Sequence, residues 1–123
     1  MPKKLALTTA LILGVGRADP ATAEPVQYVW HGYGTNVMGS SKCTGYELNI
    51  NVYTEDGRVW GDWLQTGRVV RKFEFPLGAD GTFSGQVDLG ASIINVKGKI
   101  AGDAARIDLE GYCKFGGVLK KRG

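Results

Sequence analysis

From residue 46 onward, apolar and polar positions alternate along the chain with a period of two. In residues 46–53, Leu48, Ile50 and Val52 fall on one side and Glu47, Asn49 and Asn51 on the other. Residues 82–89 set Phe83, Val87 and Leu89 against Thr82, Ser84, Gln86 and Asp88. Ile94, Val96 and Ile100 oppose Asn95, Lys97 and Lys99, and Ile107, Leu109 and Cys113 oppose Arg106, Asp108 and Glu110. Successive side chains of a strand point to opposite faces, so each segment predicts a strand with one dry and one wet face. Weaker patterns at 26–33, 58–64, 69–77 and 115–120 bring the expected total to about eight strands. No helical period follows residue 26.

The connections are short. Asp56-Gly57 and Asp80-Gly81 read as hairpin turns, and Gly90-Ala91 and residues 101–104 supply two more. Short consecutive turns place each strand beside its sequence neighbour, which is a meander. An Asp-Gly-x-apolar-x-Gly pattern occurs at 56–61 and again at 80–85, and Gly98 and Gly111 fall in the phase of the inward residues. Glycine weakens a strand interior, and one compensating use is strong curvature. The expected fold is therefore all-β: an antiparallel meander curled into a closed or nearly closed small barrel, with a β-sandwich as the alternative. Lys97, Lys99, Arg106, Asp108 and Glu110 on the outer face are positions that lipid would penalise, which argues against a membrane barrel.

The N-terminus changes this picture by adding a segment that is not part of the domain. Lys3 and Lys4 precede an uncharged, largely apolar run over residues 5–15, and Ala21-Thr22-Ala23 follows with small residues two apart. That is the layout of a secretory signal peptide, and the run is shorter than the roughly 20 residues a spanning helix needs. The expected organisation is a signal peptide over 1–23 and one domain over 24–123, periplasmic or secreted and not membrane-spanning after cleavage. Cleavage removes three of the 15 basic and one of the 12 acidic residues, leaving a balance of +1. Such a balance gives no electrostatic reason to expect nucleic acid. Lys120, Lys121 and Arg122 form the only basic cluster, which reads as a solvated end. Cys43 and Cys113 are the only cysteines, and export into an oxidising compartment predicts a disulfide between them.

Candidate chemistry is sparse. His31 is the only histidine, no metal-ligand spacing or cofactor motif accompanies it, and Ser40 and Ser41 lack a nucleophile elbow. Glu47, Asp62 and Asp88 fall on wet faces, where solvation explains them. The expectation is a non-enzymatic protein without a cofactor or metal. Aromatic residues are a stronger signal. Trp60 and Trp63 stand three apart on one strand, so they face opposite sides, with Trp60 placed outward beside Tyr53 and Tyr112. Residues 32–45, rich in Gly, Ser and Thr, form the longest stretch without a strand pattern, and long loops of this kind often carry function. The candidate ligand- or partner-binding residues are Trp30, His31, Met38, Trp60, Trp63 and Tyr112; a purely structural role for each ring is the competing reading.

With a Trp before the first loop, one long-range cysteine pair and Gly-apolar-x-Gly turns, the chain resembles small exported proteobacterial β proteins, most without an assigned function. Its layout is also similar to the eight-stranded barrels of the calycin group, which includes lipocalins, avidins and secreted inhibitors of bacterial metalloproteases. Trp30, Asn36, Gly39 and Ser40 resemble the first-strand region of avidins, but the later tryptophan motifs of that family are not present, so biotin binding does not carry over. The aromatic residues and the loop over 32–45, with no catalytic pair beside them, lead to the expected function: a binding domain for a small ligand or sugar at the barrel mouth. The alternative is a protein-interaction module, such as a protease inhibitor or envelope accessory protein, acting through residues 32–45.

Overall fold

The computed structural model describes residues 25–37, 42–102 and 104–122. The expected signal peptide over 1–23 and the candidate Met38 lie outside them. The described chain forms ten strands and one short 3-10 turn, Cys43–Gly45. In chain order the strands are β1 Val26–Tyr33, β2 Thr35–Asn36, β3 Glu47–Glu55, β4 Arg58–Gln65, β5 Arg71–Pro76, β6 Thr82–Asp88, β7 Ile93–Ala101, β8 Ala104–Glu110, β9 Cys113–Val118 and β10 Lys120–Arg122.

They form two five-stranded antiparallel sheets, β10-β1-β3-β4-β5 and β2-β9-β8-β7-β6. The sheets are joined along one side by two strands that change sheet partway. The first passes from β1 to β2 at Gly34, and the last passes from β9 to β10 at Leu119. Bends of this kind make the corners of packed β-sheets. The all-β meander is as the alternation predicts, but the barrel does not close: no ladder joins β5 to β6, and the sandwich alternative fits the pairing.

The turn residues explain where closure fails. Asp56 and Gly57 both have positive φ (47° and 75°), the two-residue geometry that lets β3 and β4 pair tightly. Asp80-Gly81 is different and is not the hairpin that the sequence predicts. The Asp80 carboxylate accepts hydrogen bonds from the Thr82 N–H (3.0 Å) and hydroxyl (2.6 Å), closing a local turn of its own. Before it, the Leu77 N–H bonds to the Gly57 carbonyl in one sheet, and after it the Ile100 N–H bonds to the Gly81 carbonyl in the other. The connector is thus anchored to both sheets, and β5 and β6 diverge.

The core is apolar throughout: Leu48, Ile50, Val52 and Val59 from the β1 sheet meet Val96, Ile107 and Leu109 from the other, with no buried polar or charged side chain among the described residues. The inward glycines do not hollow it. Phe73 lies against Gly61, Phe83 against Gly98, and Phe75 reaches across the open seam to Gly85, so that a Cβ at any of the three would overlap a ring. These glycines therefore make room for aromatic rings, and curvature alone does not account for them. Tyr28 adds a polar link between the sheets, its hydroxyl donating to the Gly102 carbonyl at 3.1 Å.

Cys43 and Cys113 are disulfide-bonded, with Cα atoms 5.4 Å apart and both residues buried. Residues 120–122 are not a loose end but a short edge strand paired with β1. Val69 and Val70, expected in a strand, belong to the β4–β5 loop. No helix among the described residues is long and apolar enough to cross a membrane.

Candidate functional site

The structure distributes the sequence-predicted residues over separate places. Trp63 is a core residue, 6% exposed, its ring 6.2 Å from that of Phe73. Trp30 also points inward, half-buried against the core, with Gly32 beside its ring. Trp60 stands on the outer face of the β1 sheet, where strand parity puts it. Tyr53 is directly opposite on β3, and their rings stack at 5.8 Å and 17°. The Arg58 guanidinium lies 4.4 Å from the Trp60 ring centroid and pairs with Glu74 at 2.5 Å. Trp60 is therefore engaged by its own neighbours. Tyr112 is not beside it but in the β8–β9 turn of the other sheet.

Beside the Tyr53–Trp60 pair runs a line of polar side chains that the sequence reading did not single out. Gln27 donates from Nε2 to the Tyr53 hydroxyl (3.3 Å) and to Asn51 Oδ1 (3.4 Å), and Asn51 Nδ2 donates to Asp62 Oδ1 (3.0 Å). Toward β10 the same face sinks into a groove of about 560 Å³ bordered by His31, Asn49, Asn51, Lys120 and Arg122. His31 is one of the sequence candidates, but Asn49, Asn51, Lys120 and Arg122 did not stand out as site residues because each is an ordinary wet-face or terminal residue; only the β10–β1–β3 register gathers them. The signal that existed was a strand-like spacing continuing into the basic cluster.

His31 sits at the far end of that groove, with Nε2 2.5 Å from Glu47 Oε2. The Thr66 hydroxyl donates to the other carboxylate oxygen at 3.3 Å. The hydrogen bond from His31 is the main cause, with its charge and Thr66 helping, that holds the Glu47 carboxyl below the ordinary glutamate range. A lowered value in the folded state means the contact stabilises above the ordinary glutamate range and is lost as pH falls through the folded value. An NMR titration should place the Glu47 midpoint below that of an unperturbed glutamate. In His31→Ala it should rise; an unchanged midpoint would show that the pair does not form in solution. Among the described residues no group of three or more His, Cys, Asp or Glu is placed to hold a metal ion.

The third location is one end of the sandwich. There, Gly34, Val37, residues 42–46, 66–70, 89–92 and 111–112 lie between the strands. The Gly34 N–H bonds to the Tyr46 carbonyl (3.0 Å), Asn36 Oδ1 accepts the Cys43 N–H (3.0 Å), and the disulfide ties Cys43 to β9. Nine large apolar residues are exposed among the described residues, and seven lie at or next to this end: Tyr33, Val37, Leu64, Val69, Val70, Ile93 and Tyr112. Tyr112 is 65% and Ile93 50% exposed. Val37 and Ile93 border a depression of about 360 Å³ together with Gly111 and Lys114. No protein-family model, curated protein or solved structure matches this chain.

Proposed function

We propose that the protein is an exported, non-enzymatic interaction module that docks a partner protein with the loop-bearing end of its sandwich. The observation that carries this reading is the gathering of seven of the nine large apolar residues exposed among the described residues at the end where the disulfide ties Cys43 to Cys113. Large apolar residues left exposed together at one end of a small domain are a mark of an interaction site. Cys43, already held by a covalent bond and by Asn36, loses little further freedom on binding, which favours affinity. The Phe rings that fill the positions opposite Gly61 and Gly98 weigh against the reading in which a small ligand or sugar enters the interior. The two-signal N-terminus, basic then apolar, supports passage to the periplasm or beyond, with a mature chain starting at Glu24.

The test uses a photo-reactive amino acid placed at Tyr112, at Ile93 and, as a control on the outer face of the second sheet toward its other end, at Lys99. Irradiation of the exporting host should give one discrete protein adduct from the first two positions and none from the third. The combined Tyr112→Ala and Ile93→Ser variant should weaken partner binding by about tenfold or more without lowering the melting temperature. Equal labelling at all three positions, or none at Tyr112 and Ile93, would sink the proposal. An adduct with the mass of two copies would replace the partner by self-association.

A further inference from the structure

We infer that the groove between β10 and β3, on the outer face of the β1 sheet, binds an anionic saccharide: a hexuronate, free or as a residue of an acidic polysaccharide. The groove lies on a different surface from the apolar end and does not depend on the docking reading above. Its layout follows from register. Lys120, Val29 and Asn51 are consecutive partners across β10, β1 and β3; Arg122 faces Gln27 one row away, and His31 faces Asn49 on the other side. All of these point outward by parity, so the groove presents two cations along one rim, a half-buried valine along its floor and two carboxamides along the opposite rim.

Each part has a matching group on a uronate. Among the described residues neither Lys120 nor Arg122 forms an ion pair, so both retain their full capacity for an anion. An ammonium and a guanidinium side by side suit a carboxylate, the guanidinium through its fork of donors. The Asn49 carboxamide makes no hydrogen bond within the described chain. Asn51 is oriented by Gln27 and Asp62 and keeps spare capacity. A carboxamide offers donors and an acceptor together, which is what vicinal hydroxyls require. The apolar floor takes the C–H face of a pyranose ring. The Gln27–Asn51–Asp62 chain and the stacked Tyr53 and Trp60 hold this rim in place before any ligand arrives, which lowers the cost of ordering it. A volume of about 560 Å³ falls within the roughly 300–1,000 Å³ of small-ligand sites, enough for one or two sugar units. Lysine on an edge strand also discourages strand addition, but that role accounts for neither the free carboxamide nor the groove.

The probe is trigalacturonate, titrated into the mature protein at low salt and compared with maltotriose, acetate and inorganic phosphate. Trigalacturonate should bind with a dissociation constant of about a millimolar or tighter, and the other three about tenfold or more weakly. Lys120→Gln with Arg122→Gln should lose about tenfold in affinity for trigalacturonate. Both substitutions keep the backbone pairing of β10, and a melting curve confirms that the fold survives. Asn49→Ala should weaken trigalacturonate, whereas Lys97→Ala on the second sheet should leave it unchanged. Acetate or phosphate binding as well as trigalacturonate would reduce the groove to a simple cation patch and overturn the saccharide assignment. Absence of binding, or binding indifferent to the Lys120/Arg122 and Asn49 variants, would overturn it as well. None of these outcomes touches the cross-linking result at Tyr112, so the two proposals fail separately.

Discussion

Trp63→Ala should destabilise the domain by about 3–5 kcal/mol, the range for truncating a large ring in a packed core. Trp63 is 6% exposed and stacks on Phe73, which in turn lies 5.7 Å from Phe75, the ring that spans the seam between β5 and β6. Removing the indole therefore opens a cavity at one end of the row of rings, Trp63, Phe73 and Phe75, that leads to the seam between β5 and β6. Against a total of about 5–15 kcal/mol for a domain of ordinary stability, the loss is large enough to unfold part of the population at physiological temperature. Trp60→Ala removes one stacked pair and one cation–π contact on a half-exposed face, each worth about 0.5–1.5 kcal/mol, and should cost about 1–2 kcal/mol. Urea unfolding of the two variants reads the difference directly. Equal losses would mean that the outer row of the β1 sheet carries as much of the stability as the core.

Replacing both cysteines with serine should cost about 2–5 kcal/mol. The bridge closes a loop over a sequence separation of 70, for which the chain-entropy model gives roughly 4 kcal/mol. The substitution also leaves two hydroxyls where Cys43 and Cys113 are buried, which adds to the loss. Denaturant midpoints of the wild type with and without reductant, and of the double variant, check the magnitude. Free-thiol titration of unreduced, denatured protein should find almost none. Two titratable thiols would show that the cysteines are unpaired in the isolated protein. Hydrogen exchange adds a local readout: the amides of residues 42–46 should lose protection in the double variant before those of β7 and β8, because the 3-10 turn is held to the second sheet through this bond.

The strands were legible because a period of two is a property of neighbouring residues. Leu48, Ile50 and Val52 had to share a face once residues 47–55 were extended, and burial against Val96, Ile107 and Leu109 follows from that. The opposition of Trp60 and Trp63 rests on the same parity, and the pairing of Cys43 with Cys113 follows from their being the only two candidates. What parity cannot give is which strand lies beside which at a distance, or whether a row of neighbours closes. Asp56-Gly57 and Asp80-Gly81 look alike in sequence, yet one makes a tight hairpin and the other a self-closed turn anchored to both sheets. The second turn is closed by Asp80 accepting from the Thr82 N–H and hydroxyl and by backbone bonds among Gly78, Gly81 and Thr82, contacts that a dipeptide pattern does not contain.

The candidate sites divide in the same way. Aromatic residues draw the eye in a sequence, but three tryptophans dispersed to the core, its margin and an outer row do not make one site. The groove at β10 was invisible because a wet-face Asn or a terminal Lys is common anywhere; its meaning comes only from Lys120 standing opposite Val29, and Val29 opposite Asn51. The sequence by itself thus determined the long alternating strands, their inward faces and the single covalent cross-link, because these depend on local alternation and on an elimination between two residues; the short strands β2 and β10 and the start of β5 it did not. The tertiary structure alone decided the open seam, the filling of Gly61, Gly85 and Gly98 by phenylalanine rings, and the surfaces on which exposed side chains meet. Those outcomes depend on register between segments far apart in the chain, where a shift of one residue would turn every side chain to the other face.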